Sequence, residues 1–277
     1  MEFTIQSKAL YSTWILYKPN RILFDAGEGV SSKLGNKIYS IEKIFLTHSH
    51  VDHIAGLWGI INTRNNAMGS REKSLKIYYP KNSQQIQKYI DFINNANNGM
   101  KYDLEFIEID LDSEIQLSDN RFIKPFKTNH TPREYSLGYQ ILETRKKLKD
   151  EFKHLSKKEI VDIVNDKGRD FISEKYIASI LTISGDSLPI AEELAYDSEI
   201  LLHECTFFFE SDRKIRNHTS LNELKELLRK IKTKRVIIYH VSSRYNFIIK
   251  ETEERLKKEF PDKEIYVVHP EKIFKIW

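Results

Sequence analysis

The chain contains very little cysteine, glycine and proline for its length. Its 277 residues include one cysteine, ten glycines and seven prolines. The single cysteine, Cys205, excludes an internal disulfide framework and any multi-cysteine zinc or iron–sulfur site, and this usage is typical of a reducing compartment. We therefore expect a cytoplasmic protein.

Long apolar runs and an excess of one charge sign are also missing. No stretch approaches the roughly 20 apolar residues that cross a bilayer, and the N-terminal segment lacks the pattern of a secretory signal. The 44 Lys and Arg residues nearly balance the 40 Asp and Glu residues, and the two signs are interspersed. Membrane insertion and secretion are not expected, and a net charge of +4 does not demand nucleic acid as a partner.

What is present supports one domain spanning residues 1–277. Hydrophobic residues make up 40% of the chain and aromatic residues 12%, which suffices for a sizeable core. Short β-rich runs alternate with helical patterns, and this alternation indicates a layered α/β fold. A helix is predicted over residues 221–231, with Ser220 and Glu223 as its capping box. Strands are predicted over residues 21–24, 43–46, 76–79, 121–126, 180–183, 199–202, 235–239 and 265–268.

One stretch differs in composition from the rest of the chain. Residues 145–175 contain ten Lys and Arg, seven Asp and Glu and one glycine. This composition is typical of solvated helix, so we predict a charged helical insertion on the surface of the domain. A basic arm that contacts a substrate is the alternative interpretation.

Metal-competent side chains follow five of the predicted strands. They are Asp25, His48, His130, Asp186 and His240. Loops at one edge of a layered α/β fold carry functional sites because a rigid scaffold positions them, so a convergent polar cluster is expected there. Taken singly, each of the later three could be an ordinary residue at a strand end.

The densest motif is THSHVDHIAG, residues 47–56. His48 and His50 are two positions apart, and in an extended or turning segment both imidazoles point to one side. Asp52 and His53 can face a second point. Imidazole and carboxylate together suit Zn²⁺ or Mn²⁺, so we predict two divalent ions per chain, with zinc the first choice and manganese the second.

The order of these motifs resembles the metallo-β-lactamase superfamily, an αββα sandwich with a two-metal site at one edge. The resemblance runs from FDAGEG at Asp25, through the histidine motif, to ISGDS and YHVSSRY. It implies that Asp25 orients the ligand loop without touching a metal. It also implies two groups of three ligands with one bridging carboxylate: His48, His50 and His130; Asp52, His53 and His240; and Asp186.

Within the superfamily the chain resembles ribonuclease Z and its relatives. LLHECTF, RNHTSLNEL and YHVSSRY are similar to that family's His-Glu-Ala-Thr, His-Ser-Thr and His-Phe-Ser-x-Arg-Tyr motifs. The resemblance implies a proton shuttle of Glu204 and His218, and a homodimer. Asp52 is expected to orient the attacking water as well as ligate metal, and Ser242 or Arg244 to donate to a phosphoryl oxygen.

Two departures from the family pattern guide the substrate prediction. The Gly-rich first strand is absent, and so is the Gly/Pro-rich arm that grips tRNA, because no proline occurs between Pro132 and Pro189. Trimmed relatives include phage-encoded phosphodiesterases of the anti-Pycsar type, which degrade cyclic mononucleotides. We therefore predict a metal-dependent hydrolase of 3′,5′-cyclic mononucleotides, with a small nucleotide as partner and, if phage-encoded, the host cytoplasm as location.

Two other functions stay open. A tRNA 3′-processing endonuclease would use the cations of residues 145–175 as a replacement arm. A non-catalytic protein that sequesters a nucleotide would need the ions but not the pair of Glu204 and His218. β-Lactam hydrolysis is disfavoured, because such enzymes commonly place a cysteine on the second metal, and β-CASP nucleases need an additional domain that this length excludes.

Overall fold

A computed structural model describes residues 2–67, 73–97, 99–132 and 134–276. The strands are β1 (Phe3–Lys8), β2 (Ser12–Tyr17), β3 (Ile22–Phe24), β4 (Lys43–Phe45), β5 (Leu75–Pro80), β6 (Leu104–Ile109), β7 (Ile115–Ser118), β8 (Arg121–Thr128), β9 (Ser136–Leu148), β10 (Ser173–Ile183), β11 (Ile200–Glu204), β12 (Arg235–Tyr239), β13 (Glu264–Val267) and β14 (Phe274–Ile276). The helices are α1 (Val30–Leu34), α2 (Val51–Ile54), α3 (Leu57–Ala67), α4 (Gln84–Ala96), α5 (Lys157–Lys167), α6 (Arg169–Ile172), α7 (Glu192–Ala195), α8 (Leu221–Lys230) and α9 (Ile249–Glu259).

These strands form two sheets of similar design. One has the order β14-β1-β2-β3-β4-β5-β6 and the other the order β13-β12-β11-β10-β9-β8-β7. In each sheet an antiparallel part continues into a parallel part, from β3 to β6 and from β10 to β13. The predicted strands are confirmed with ends shifted by at most two residues, except that β10 begins at Ser173 instead of Ile180.

The core between the sheets is aromatic and aliphatic. Phe45 of the first sheet stacks on Tyr78 at 4.6 Å between ring centroids and meets Tyr139 of the second sheet edge-on at 5.4 Å. Helices cover the two outer faces, where Ile60 of α3 and Leu228 of α8 are fully buried in separate apolar clusters. Two sheets between two helical layers form an αββα sandwich, so the predicted fold class is confirmed.

The predicted start of α8 is confirmed in atomic detail. The Ser220 hydroxyl accepts the backbone N–H of Glu223 at 3.3 Å, and the Glu223 carboxylate accepts the backbone N–H of Ser220 at 3.0 Å. Leu224, Leu227 and Leu228 then face the second sheet from one side of the helix. This capping box ties the N-terminus of α8 to the loop before it.

Residues 144–177, which we call the arm, project from the second sheet. β9 and β10 continue past Arg121, the first residue of β8, as a two-stranded ribbon, pairing Thr144 with Ile177 and Leu148 with Ser173. α5 and α6 follow at the tip. The helical prediction for residues 145–175 is correct for these two helices and wrong at both ends, where both faces of the ribbon are exposed and no apolar alternation marks the strands. No helix in the described ranges is long and apolar enough to cross a membrane.

Candidate metal centre and active site

The seven predicted metal ligands lie at one edge of the sandwich, where loops leave both sheets. Four of them occupy the segment from the end of β4 through α2, and the other three follow β8, β10 and β12. The first group is His48, His50, Asp52 and His53, and the second is His130, Asp186 and His240. The structure therefore brings together side chains from opposite sheets.

The ligand atoms converge into two neighbouring trios. Within each trio the atoms lie within 4.8 Å of one another, and the trios are His48, His50 and His130, and Asp52, His53 and His240. Asp186 lies between them, because its Oδ2 is 3.9 Å from Nε2 of His48 and 3.2 Å from Nε2 of His240. Other trios of the same cluster, such as His48, His53 and Asp186, meet the same distance, so the division of the ligands between two ions stays a prediction.

The buried polar atoms of this cluster indicate whether its residues fit a metal ion. Nε2 of His48 and Oδ1 of Asp186 are buried and make no hydrogen bond with any part of the chain that the structure describes, whereas the buried Nε2 of His53 lies 3.3 Å from Oδ2 of Asp186. An unpaired buried polar atom costs about 1–3 kcal/mol, a cost that a coordinated cation removes. The residues present therefore fit divalent ions, and the mixture of imidazole and carboxylate suits zinc.

Asp25 lies behind the ligands, as the resemblance implies. Its Oδ2 accepts a hydrogen bond from Nδ1 of His53 at 2.7 Å, and its Oδ1 accepts the backbone N–H of Thr47 at 2.8 Å. The Thr47 hydroxyl in turn lies 2.9 Å from Nδ1 of His48. One carboxylate therefore fixes the orientation of the first part of the histidine motif.

The other histidine ligands have partners that sequence reasoning missed. The nitrogen of each ring that faces away from the cluster lies near an oxygen: His240 near Oγ1 of Thr206 at 2.9 Å, His130 near the carbonyl of Asn217 at 3.0 Å, and His50 near Oε2 of Glu134 at 3.5 Å. Glu134 also accepts the backbone N–H of Ser49 at 2.6 Å. Thr206 lies inside the HECTF motif and Asn217 inside RNHTSLNEL, whereas Glu134 belongs to neither.

Local backbone geometry also shapes the site. Asp25 and His240 have left-handed conformations, with φ of 56° and 58°, a state that costs about 1–3 kcal/mol for a residue with a side chain. A Cβ at Gly27 would lie 2.3 Å from the carbonyl of Asp52, and one at Gly56 would lie 2.1 Å from the carbonyl of Gly27. The FDAGEG loop and the start of α2 are therefore in direct backbone contact. This contact determines how far Asp52 lies from the protein surface.

The electrostatics of the cluster favour positive charge. Burial lowers the pKa of His53, but the carboxylates of Asp186 and Asp25 raise that pKa well above its ordinary value. Burial raises the pKa of Asp186, whereas the neighbouring His240 and His53 lower it well below its usual range. The carboxylates of Asp186 and Asp25 therefore stabilise positive charge at this position, and they would stabilise a bound divalent ion in the same way.

Glu204 and His218 form a separate pair beside the ligands. Nδ1 of His218 lies 3.0 Å from Oε1 of Glu204, and the fully buried carboxylate also accepts the backbone N–H groups of Thr206 at 2.8 Å and Thr219 at 3.0 Å. Burial lowers the pKa of His218, but the charge and hydrogen bond of Glu204 raise it more, to about 9. The His218 ring is 4.7 Å from that of His130, so a proton donor borders the cluster.

The contacts of Ser242 and Arg244 in the structure are with residues outside the predicted ligand set. Arg244 is 3.6 Å from Oδ1 of Asp212, and its guanidinium lies 5.9 Å from the ring centroid of Phe207. The Ser242 N–H donates to the carbonyl of Thr206 at 3.2 Å. Within the described ranges neither makes a hydrogen bond or ion pair to a predicted metal ligand, and their roles stay predictions.

Comparison with known proteins gives consistent matches. Residues 11–148 match the model of a family described as the Metallo-beta-lactamase superfamily. A ribonuclease Z of Ligilactobacillus salivarius (strain UCC118) is 29% identical, with 88% of this chain and 83% of the relative covered. A ribonuclease Z of Bacillus mycoides (strain KBAB4) is 31% identical, with 80% of this chain and 78% of the relative covered.

Two solved structures share the fold. The short form of human tRNase Z superposes with a TM-score of 0.66 at 18% identity, with 99% of each chain covered. The metallo-beta-lactamase fold protein YhfI of Bacillus subtilis superposes with a TM-score of 0.65 at 15% identity, again with 99% of each chain covered. At these sequence identities the superpositions show a shared fold alone.

The relatives correct the substrate prediction. Hydrolysis of 3′,5′-cyclic mononucleotides, with a small nucleotide as partner, is the wrong main prediction, because the relatives at 29% and 31% identity are named ribonuclease Z. The error came from equating a lack of glycine and proline with the lack of an arm. Residues 144–177 do project, as a β-ribbon with two helices, so the composition of the segment did not decide its shape.

Proposed function

Because the chain belongs to the metallo-β-lactamase superfamily and, within it, to the ribonuclease Z family, we propose that it is an endonuclease that removes the 3′ trailer of precursor tRNA. Family membership and the histidine and aspartate clusters support divalent metal binding and hydrolase chemistry. The observation that carries the proposal is the combination of a complete ligand cluster with a separate pair of Glu204 and His218.

In this proposal the two trios each hold one divalent ion, zinc in the first instance, and Asp186 contributes to both. Such ions supply Lewis acidity toward a phosphoryl oxygen and lower the pKa of a water from 15.7 to about 7. The buried Nε2 of His48 and Oδ1 of Asp186, which make no hydrogen bond within the described residues, support this assignment. Metal analysis of the purified protein, with an expected ratio near two, measures it directly.

Asp52 has the position and charge to orient a water for attack. Its side chain is 12% exposed, so the carboxylate can be reached from the substrate side. Burial raises the pKa of Asp52, but the hydrogen bond from His240 and the charge of His53 bring that pKa below its ordinary value. The carboxylate is therefore ionised at neutral pH and can accept a hydrogen bond from the attacking water.

His218 has the position and protonation state to assist the leaving group. Its Nδ1 faces Glu204, which leaves Nε2 for the substrate, and a pKa of about 9 keeps the ring protonated at neutral pH. Hydroxide, formed when the attacking water loses a proton to solvent, bonds to phosphorus as the bond from phosphorus to the ribose oxygen breaks, and Nε2 gives its proton to the ribose oxygen. A general acid typically contributes about 10²–10⁴-fold to the rate.

The arm is the surface that we propose for the part of the RNA distant from the cleaved bond. It carries the ten cations of residues 145–175, although some are paired within the arm, as Lys147 is with Glu174 at 3.0 Å. After this pairing, the arm carries a moderate excess of positive charge. Binding should therefore weaken with salt, with a slope that reflects a few phosphate contacts.

The test is incubation of the zinc-loaded protein with a precursor tRNA that carries a 3′ trailer, read on a sequencing gel. We expect one cut at the start of the trailer, and we expect Asp186→Ala to abolish it by removing the shared carboxylate. Bis(p-nitrophenyl) phosphate is the reference diester. Hydrolysis of this reference while the precursor stays intact would refute the tRNA proposal, and no turnover of either would favour the alternative of a nucleotide-sequestering protein.

A further inference from the structure

A partly buried arginine outside the metal cluster binds the segment that carries His218. Nη1 of Arg213 donates to the carbonyl oxygen of His218 at 2.6 Å and to Oε2 of Glu223 at 2.6 Å. Its Nη2 donates to Oε1 of the same carboxylate at 3.2 Å. The Arg213 side chain is only 9% exposed, so these bonds compete little with water.

Glu223 anchors this contact to a rigid element. Its carboxylate also accepts the backbone N–H of Ser220 in the capping box of α8, and the next residue of the helix, Leu224, is fully buried in the core. Arg213 thus connects the carbonyl of His218 to the first turn of a packed helix. A planar guanidinium suits this task because its fixed fork can bind a carboxylate with two nitrogens and still donate elsewhere.

The part of this segment before Thr219 has few other constraints. Residues 213–218 form neither helix nor strand, and the side chain of Ile215 is 72% exposed, whereas the next residue, Thr219, is buried and its hydroxyl donates to the carbonyl of Ser187 at 2.8 Å. The same segment presents the Asn217 carbonyl to His130 and the His218 ring to Glu204. The orientation of the proton donor therefore depends on what ties this segment to the body of the protein.

We propose that Arg213 is a positioning residue, whose guanidinium sets the His218 imidazole against Glu204 and so aims the proton donor at the leaving oxygen. The inference rests on the proposed function in one respect, that His218 acts on the leaving group. Arg213 acts through His218 and touches no substrate. Sequence reasoning gave it no role.

Arg216 supplies a matched control. Its Nε donates to Oε1 of the same Glu223 at 3.0 Å, but its side chain is 65% exposed and the structure shows no bond from it to His218 within the described residues. An exposed ion pair of this kind contributes about 0–1 kcal/mol. Arg216→Ala therefore removes one partner of the carboxylate and leaves the tie to His218 intact.

The experiment compares Arg213→Ala, Arg216→Ala and His218→Ala with the parent, each with its metal content and melting temperature measured. On precursor tRNA we expect Arg213→Ala to lower kcat about 10²-fold with KM near that of the parent, because a misplaced catalytic group can cost this much. With bis(p-nitrophenyl) phosphate, whose leaving group needs no proton, the loss should be much smaller. His218→Ala should show the same selectivity, and Arg216→Ala should match the parent on both substrates.

Two kinetic outcomes would overturn the inference. One is an equal effect of Arg213→Ala and Arg216→Ala on the RNA. The other is an equal loss on both substrates together with a lower melting temperature, which would mean that Arg213 only supports packing. If Arg213→Ala does not fold, Arg213→Lys takes its place, because lysine keeps the positive charge but lacks the two-nitrogen guanidinium group. A parental kcat of Arg213→Lys on RNA would refute the positioning role. A loss on RNA that is larger than the loss on the reference diester would support it.

A crystal structure of Arg213→Ala gives a readout that needs no substrate. The distance from Nδ1 of His218 to Oε1 of Glu204, 3.0 Å in the parent, should lengthen or become variable. An unchanged pair would contradict the inference. If the parent leaves precursor tRNA intact, the proposed function fails, whereas this measurement still decides the role of Arg213.

Discussion

Asp25 has a strained backbone conformation, and its carboxylate binds two partners at once. Its left-handed φ of 56° directs the carboxylate to Nδ1 of His53 and to the Thr47 N–H. Asparagine tolerates that conformation and keeps the size, but it removes the charge that holds the imidazole. We expect Asp25→Asn to weaken zinc binding about 10–100-fold, measured by competition with a chromophoric chelator.

Asp91→Asn is the control for this measurement, because Asp91 lies on the exposed side of α4, where it accepts a hydrogen bond from Gln87. Its zinc affinity should equal that of the parent. Parental affinity in Asp25→Asn would show that the carboxylate does not support the ligand loop.

At the residue scale, sequence reasoning identified the residues of the cluster and missed most of the groups that orient them. His48, His50 and His53 are close in sequence, so their spacing carried the signal. The carbonyl of Asn217 could not be predicted, because every residue has a backbone carbonyl and only the fold brings this one to His130. Glu134 lies close to His50 in space but 84 residues after it in the sequence, and it belongs to no recognised motif.

Glu223 makes the N-terminus of α8 sensitive to acid. Burial raises its pKa, but hydrogen bonds from Arg213, the Ser220 N–H and Arg216 lower it from 4.5 to about 2. A carboxyl with a depressed folded pKa contributes stability above its unfolded pKa and loses that contribution as pH falls through the folded value. We expect Glu223→Gln, which can still complete the capping box, to lower the free energy of unfolding by about 1–2 kcal/mol at pH 7.

The difference between Glu223→Gln and the parent should shrink as the pH falls from about 4.5 to about 2. Urea unfolding at a series of pH values measures it. Glu226→Gln removes an exposed pair with Arg229 and should show a small difference at every pH. A difference for Glu223→Gln that is as large at pH 2 as at pH 7 would assign its effect to packing instead of charge.

At the element scale, prediction was most complete where the signal is local in sequence. α8 was predicted because its leucines repeat along one face and its capping box is local in sequence. β2, whose six residues are all buried, was missed, although β11 is also buried along its whole length and was predicted. The outer half of β10 was missed because its residues are mostly exposed on both faces.

For the whole molecule, bound metal should act as a link between the two sheets. His48 and His53 follow β4 of the first sheet, whereas His130 and His240 follow strands of the second. Ions bound only in the folded state raise stability by about 2.7 kcal/mol at 100 times Kd, which is a rise in Tm of roughly 5–10 °C for a chain of this size. Calorimetry with zinc and with a chelator measures the change.

Asp186→Ala should reduce that thermal shift, because it lowers the affinity for both ions. A melting temperature that is the same with zinc and with the chelator would mean that the cluster does not bind the ion in the folded state. The predicted homodimer is a separate property and stays a prediction, which sedimentation equilibrium can test.

The arm and the ligand cluster lie toward opposite ends of β9. β9 begins at Ser136, six residues after His130, and takes 13 residues to reach Leu148 on the arm. At 3.3 Å per residue this is a span of about 40 Å. A single nucleotide bound at the cluster is too short to reach the arm, whereas a folded RNA is long enough to contact both. If the proposed function holds, the length of one strand therefore sets the smallest substrate that can contact both ends.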